Sequence, residues 1–233
     1  MSLRRRSASA LKFGGKMVFN EVSGESGLVL SRRHLLQGGA AAGLLAAARP
    51  VAAATAMLPA PFPKPAINPL LLGRAKAALD SRPWIAHRDT IAIADFSKAS
   101  HDPRFYLVNL LNGMVTDYHV AHGRGSDPMH SGWLERFSNE VGSEASSAGA
   151  YVTGDIYFGK YGRSLRLTGL DPSNSNALGR AIVVHGAWYA EPKVAEQYGK
   201  LGRSEGCFAL SETNLQYVLY QLGPGRLLYA DKV

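Results

Sequence analysis

From Thr90 onward the apolar residues fall in short runs that alternate with polar ones and stop at turn-forming residues. TIAIADF (90–96), RFYLVNL (104–110), MVTDYHVA (114–121), AYVTGDIYF (150–158), SLRLTGL (164–170) and RLLYADK (226–232) read as strands. Side chains that alternate between two faces bury one of them in a sheet, not in a helix. TIAIADF reads as half-buried on that pattern. Asn112-Gly113 between two runs is the strongest short hairpin signal in the chain. AIVVHGAWY (181–189) opens on a continuous apolar run, which predicts a strand covered on both faces. Two helices are expected. Asn68 and Pro69 supply a cap and a first-turn proline for one that reaches about Asp80. Ser211 caps the other, which Gly223 and Pro224 close. About seven strands and two short α-helices predict a mostly-β fold, a sandwich or barrel-like sheet pair. The polar, glycine-rich segment 122–149 reads as a long irregular loop, a lid with one helical turn.

The formal charge of +8 invites a nucleic-acid reading, but the charge is unevenly placed. Residues 1–56 hold eight Lys/Arg against two Glu, and residues 57–233 hold 18 against 16 Asp/Glu. A near-neutral body argues against polyanion binding, so no nucleic-acid partner is expected. The basic segment reads as an export signal. Arg32-Arg33 precede the apolar stretch GGAAAGLLAAA, and VAAATA follows with an A-x-A-like cleavage site near Ala54 or Ala56. The adjacent arginines are those of a twin-arginine signal. The apolar run is shorter than the roughly 20 residues that span a bilayer, so no membrane span is expected once the signal is cleaved. The signal is assigned to residues 1–56, with Met17 an alternative start to Met1. A proline-rich linker is assigned to 57–69 and a single domain to 70–233. The mature chain is expected in the periplasm or cell envelope, as a monomer.

An exported chain with a single cysteine cannot form an internal disulfide. Cys207, within GRSEGCFAL (202–210), is then an intermolecular disulfide partner, a buried small hydrophobe or a reactive thiol. His185-Gly186 lies 22 residues earlier, at the end of the expected buried strand. An imidazole beside a thiol supplies the base that thiolate attack requires. The N–H groups of Gly206 and Cys207 are candidate oxyanion donors, and Gly206 leaves room for a substrate at the backbone. Helix-dipole assistance is weak, because Cys207 precedes the cap at Ser211 by four residues.

His185-Gly186-Ala187, followed by Ser204-x-Gly206-Cys207, resembles the YkuD-type L,D-transpeptidases, specifically the murein L,D-transpeptidase catalytic branch. Residues 146–151 match that family's strand-entry motif loosely, and the resemblance covers roughly residues 88–230. It implies a β-sandwich-like fold with Cys207 at one end of a groove. It also implies peptidoglycan stem peptides as partners and no metal or organic cofactor. Cys207 would attack the bond between the diaminopimelate L-centre and the following D-alanine, with His185 as base. The thioester would pass to an amine of another stem, giving a 3–3 crosslink. Water as acceptor would make the enzyme an L,D-carboxypeptidase, and a silent wall-binding domain is the non-enzymatic alternative. Glu205 stands where the family commonly has histidine, and a carboxylate there tends to raise the thiol pKa. Arg203 is placed to offset it or to bind a stem carboxylate. In the wider family a backbone carbonyl orients the histidine.

The substrate-binding set is therefore Gly206, Ser204, Arg203, Gly186, His122 and Tyr151, with Cys207 and His185 catalytic. His119, His122 and His130 cluster in sequence but lack H-E-x-x-H spacing, so no metal site is assigned. Trp188 and Tyr189 read as a packed sheet edge rather than a substrate wall.

Overall fold

The computed structural model describes residues 66–233. The assigned signal, residues 1–56, and nearly all of the assigned linker lie outside that range. The described chain forms helix α1 (Pro69–Asp80), strands β1 (Thr90–Asp95), β2 (Phe105–Asn109), β3 (Val115–Tyr118), β4 (Gly149–Gly159), β5 (Gly162–Gly169) and β6 (Val183–Gly186), helix α2 (Pro192–Tyr198), strand β7 (Phe208–Leu210), helix α3 (Glu212–Leu222) and strand β8 (Leu227–Asp231). The eight strands make one mixed sheet, ordered β3-β2-β1-β8-β4-β5-β6-β7. β1 and β8 pair in parallel, as do β6 and β7. The fold is mostly β, with three short helices.

The two edges of this sheet approach each other. The chain beyond β3 reaches β7, where the Ala121 N–H donates to the Ala209 carbonyl at 2.8 Å. Two residues on, the Ser204 N–H donates to the His122 carbonyl at 2.9 Å and the Arg124 N–H donates to the Ser204 carbonyl at 2.8 Å. The sheet thus closes on itself, and the closing seam is the segment that leads to Cys207.

Inside the closed sheet, Leu215, Val218, Leu219 and Leu222 of α3 pack with Phe105, Leu165, Val184, Phe208 and Leu228. These positions recur on one face of α3 at helical spacing. The Ser211 side chain accepts the Asn214 N–H at 3.1 Å, as the capping expectation requires. Outside the sheet, α1 lays Leu71, Ala75 and Leu79 against Ile91, Ile93, Tyr106 and Val108. All six residues of β1 are therefore buried, where alternation had suggested one exposed face. The alternation is real, but it is between isoleucine and alanine. The isoleucines face α1 and the alanines face the interior.

Three other expectations change. The 122–149 segment is not a lid: Leu134, Ala145, Ser146 and Ser147 are fully buried in it. The strand expected over 181–189 is only four residues long. Ala181 takes a positive φ of 53° before it, and Trp188–Ala190 form a 3-10 turn after it. Cys207 leads into β7 rather than directly into a helix. β7 and α2 have no counterpart among the expected elements. The Asn112-Gly113 hairpin forms, with Gly113 at φ 70° and β2 antiparallel to β3. Among the described residues no helix is long and apolar enough to cross a membrane.

Candidate active site

The parallel pairing of β6 with β7 sets Val184 beside Phe208 and His185 beside Ala209. Cys207, one residue before β7, is therefore next to the strand that carries His185. Both side chains line one cavity of ≈ 260 Å³, together with Arg124, Lys160, Tyr189 and Arg203. A second cavity of ≈ 280 Å³ meets the thiol from the other side, lined by Tyr157, Arg180, Ala181 and Val183. Lys160, Tyr161, Glu205 and Cys207 belong to both. Cys207 is only 6% exposed, and it lines both cavities.

The His185 Nδ1 lies 2.9 Å from the Gly186 carbonyl oxygen. A carbonyl only accepts, so Nδ1 carries the proton and Nε2 is left as the basic nitrogen. Nε2 makes no hydrogen bond with the described protein atoms. Burial pulls the His185 pKa below its ordinary value of 6.5, only partly offset by the Gly186 hydrogen bond. Burial pushes the Cys207 thiol up from 9.0, and the Glu205 carboxylate adds to that. A hydrogen bond from the Val183 backbone and the Arg180 guanidinium act in the opposite direction. The thiol points at the Ala181 carbonyl, 3.6 Å away.

The loop that presents the sulfur is fixed by its own hydroxyl. Ser204 Oγ donates to the Cys207 carbonyl at 2.7 Å and accepts the Gly206 N–H at 3.2 Å. That amide is thereby turned inward, which removes it from the expected oxyanion pair. Gly206 is not an opening for substrate either. Its φ is +110°, and a Cβ there would sit 2.8 Å from both the Ala145 carbonyl and Ile182. Glycine is required because the chain passes close by in a left-handed conformation. From below, Ser146 Oγ donates to the Gly206 carbonyl at 3.2 Å and accepts the Gly123 N–H at 3.0 Å. Ser146 was not among the expected residues, although the strand-entry motif includes it.

Two residues expected in the groove lie elsewhere. His122 is 1% exposed, between Arg104 (Nη2 to Nδ1, 2.8 Å) and Asp127 (Nε2 to Oδ2, 3.3 Å). Burial, and then the Arg104 charge, bring its pKa down to about 3, so it stays neutral. Tyr151 is fully buried and donates its hydroxyl to the Ser147 carbonyl at 2.7 Å. Both residues shape the floor from behind rather than touching its contents.

Arg203 does line the His185 cavity, and it also donates to the carbonyls of Asp127 and Pro128. Gly186 supplies the carbonyl that orients His185, and a Cβ there would sit 3.1 Å from the Leu215 side chain of α3. The three sequence-clustered histidines diverge: His119 turns to the His101 carbonyl, His122 to Asp127 and His130 to the Leu201 carbonyl. Trp188 is 70% exposed, not packed at an edge.

Sequence reasoning did not single out Arg180, Lys160 or Tyr161 as residues of one site. Arg180 donates to the Ala145 and Ser138 carbonyls and to Ser147 Oγ while lining the thiol's second cavity. Lys160 and Tyr161 form the tip of the β4–β5 hairpin, between the paired Gly159 and Gly162. The antiparallel pairing of Ser164 with His185 brings that tip over the site.

A family model described as L,D-transpeptidase catalytic domain matches residues 73–230. No curated protein matches the chain. Among solved structures the chain resembles an L,D-transpeptidase from Mycobacterium smegmatis, at 15% identity and a TM-score of 0.38, over 61% of this chain and 58% of that one. It also resembles an L,D-transpeptidase from Mycobacterium tuberculosis H37Rv, at 14% identity and a TM-score of 0.40, over 62% and 58%. L,D-transpeptidase 3 from Mycobacterium tuberculosis matches at 13% identity and a TM-score of 0.40, over 62% and 61%. The aligned part thus spans about three fifths of the length of these structures.

Proposed function

The chain belongs to the L,D-transpeptidase catalytic domain family, an enzyme family, and on that premise we propose that it is an exported peptidoglycan L,D-transpeptidase. The observation that carries the reading is that Cys207 and His185 open onto one cavity, with Nδ1 of the imidazole fixed to the Gly186 carbonyl. A base with its proton parked on the far nitrogen is ready to take another.

In this reading Cys207 Sγ attacks the carbonyl carbon between the diaminopimelate L-centre and D-alanine, and its proton passes to His185 Nε2. The Cys207 N–H is the remaining amide for the oxyanion, since that of Gly206 is held by Ser204. Collapse of the tetrahedral intermediate breaks the C–N bond. His185 returns the proton to the leaving amine, and D-alanine departs. A second stem's amine then gives its proton to His185 as it attacks the thioester, releasing the thiol and leaving a 3–3 crosslink. Three cationic side chains, Arg124, Lys160 and Arg203, line the His185 side and suit the carboxylate of the leaving residue. Residues 1–56 are proposed as a twin-arginine signal to the envelope.

The test uses the full chain, wild type, Cys207→Ala and His185→Ala, with defined tetrapeptide muropeptides and mass spectrometry of the products. Wild type is expected to yield crosslinked dimers. Cys207→Ala should yield none, and His185→Ala should react about 10²–10⁴-fold more slowly. Tripeptides without dimers would make the enzyme a carboxypeptidase. Unchanged substrate with wild type would overturn the enzymatic reading.

A further inference from the structure

We infer that Tyr161 is a positioning residue for His185, and that its hydrogen bond to Glu205 latches the cleft across Cys207 until a substrate displaces it. The inference deepens the acyl-transfer reading and rests on His185 and Cys207 being its base and nucleophile. Four observations carry it. The Tyr161 ring lies on the imidazole, with centroids 4.5 Å apart and planes 23° apart. The Tyr161 hydroxyl donates to Glu205 Oε2 at 3.3 Å, from the hairpin tip to the cysteine loop. The two cavities that reach the sulfur share Lys160, Tyr161, Glu205 and Cys207. Tyr161 is 40% exposed in a two-residue turn, so its side chain can leave Glu205 toward solvent.

A peptide attacked in mid-chain has residues on both sides of its reacting carbonyl. To present that carbonyl to Sγ it must run from one cavity into the other. The Tyr161–Glu205 contact crosses that path, so it opens as the peptide enters. The stacked ring does something different. His185 is pinned at Nδ1 by one hydrogen bond, which leaves the ring free to tilt about it. An aromatic face against the imidazole removes that freedom and holds Nε2 toward the cleft. Glu205, which stands where the family motif commonly has histidine, is the acceptor of the latch. Arg124, paired with Glu144, keeps its Nη2 3.9 Å from Glu205 Oε1 and so leaves a positive charge beside that carboxylate.

Three full-chain variants separate the two roles. Tyr161→Phe keeps the stack and loses only the latch, Glu205→Ala loses the latch together with the carboxylate that raises the thiol pKa, and Tyr161→Leu loses stack and latch. The first readout is alkylation of Cys207 by iodoacetamide at fixed pH, which needs no peptidoglycan. Tyr161→Phe and Tyr161→Leu are expected to alkylate about fivefold faster than wild type, because the sulfur is less covered, and Glu205→Ala faster still, because it also loses a negative neighbour. The second readout is muropeptide turnover. Tyr161→Leu is expected to lose about tenfold in kcat with little change in KM, and Tyr161→Phe to recover most of that loss. Wild-type alkylation rates in Tyr161→Phe and Glu205→Ala would overturn the latch. Wild-type kcat in Tyr161→Leu, or an equal loss in Tyr161→Phe, would overturn the positioning role. Faster alkylation of the variants with no muropeptide converted by any form would leave the latch standing and sink the transpeptidase reading instead.

Discussion

Cys207 and His185 rest without charge. Burial raises the thiol above its ordinary 9.0 and lowers the imidazole below 6.5, so near neutral pH both partners of the proposed reaction are uncharged. In the proposed mechanism the proton then moves as the sulfur attacks, not beforehand. The rate of Cys207 alkylation should therefore rise with an inflection above 9.0. Glu205→Gln removes a negative neighbour while keeping a hydrogen-bond acceptor, and should move that inflection down. Arg180→Met removes a positive one and should move it up. Shifts in the reverse directions would show that these charges do not act on the sulfur. That Cys207 and His185 meet at one cavity was legible in the sequence, because a lone cysteine and a strand-end histidine stand out without distant information. His122 and Tyr151 were not. Their place is decided by Arg104, which pairs with His122 from 18 positions away, and by the turn of Ser147 beneath Tyr151. Tyr161 became readable only with the register that sets Ser164 opposite His185.

Among the elements, α1 and the cysteine loop make opposite demands. α1 covers the outer face of β1 with a cluster separate from the one around α3 and Phe208. Leu71→Ala should therefore cost about 2–4 kcal/mol of stability in urea unfolding, with the alkylation rate of Cys207 unchanged in the folded protein. A changed rate would mean that the two clusters are coupled. Gly206→Ala tests the other demand. Its Cβ would meet backbone and Ile182 at 2.8 Å in a left-handed conformation, so the loop must shift and turnover should fall by about 10²-fold or more. Retention of activity would mean that the loop has slack there. α1 and α3 were legible from their caps. α2 carried the same signals, with Pro192 at its first position and Gly199 closing it at φ 68°, but its seven residues are too short for a periodic pattern. β7 has three residues and no pattern of its own, because its pairing with β6 is what makes it a strand.

Over the whole molecule, the charged groups beneath the seam set the response to acid. His122 is neutral in the fold, with its pKa near 3, and is free to take a proton when unfolded. Its contribution is fully present above about 6.5 and is lost as pH falls toward 3, with a slope of about 1.4 kcal/mol per unit. His185 adds in the same direction. Asp127 acts at lower pH. Burial opposes its charge, but the Ser131 and Gly132 amides outweigh that and hold its carboxyl below 3.8. Urea midpoints should thus decline between pH 6.5 and 4.5. In His122→Asn the protein should start less stable at pH 7.5 and decline less steeply. Parallel curves for the two proteins would place the acid sensitivity elsewhere.

The seam has one more consequence. Ala121 meets Ala209, and His122 meets Ser204, only when opposite margins of the sheet have come together. Cys207, the proposed nucleophile, hangs from that join. A half-assembled chain accordingly has a sulfur but not the proposed reaction centre, and the contacts that finish the shape are the ones that would arm it.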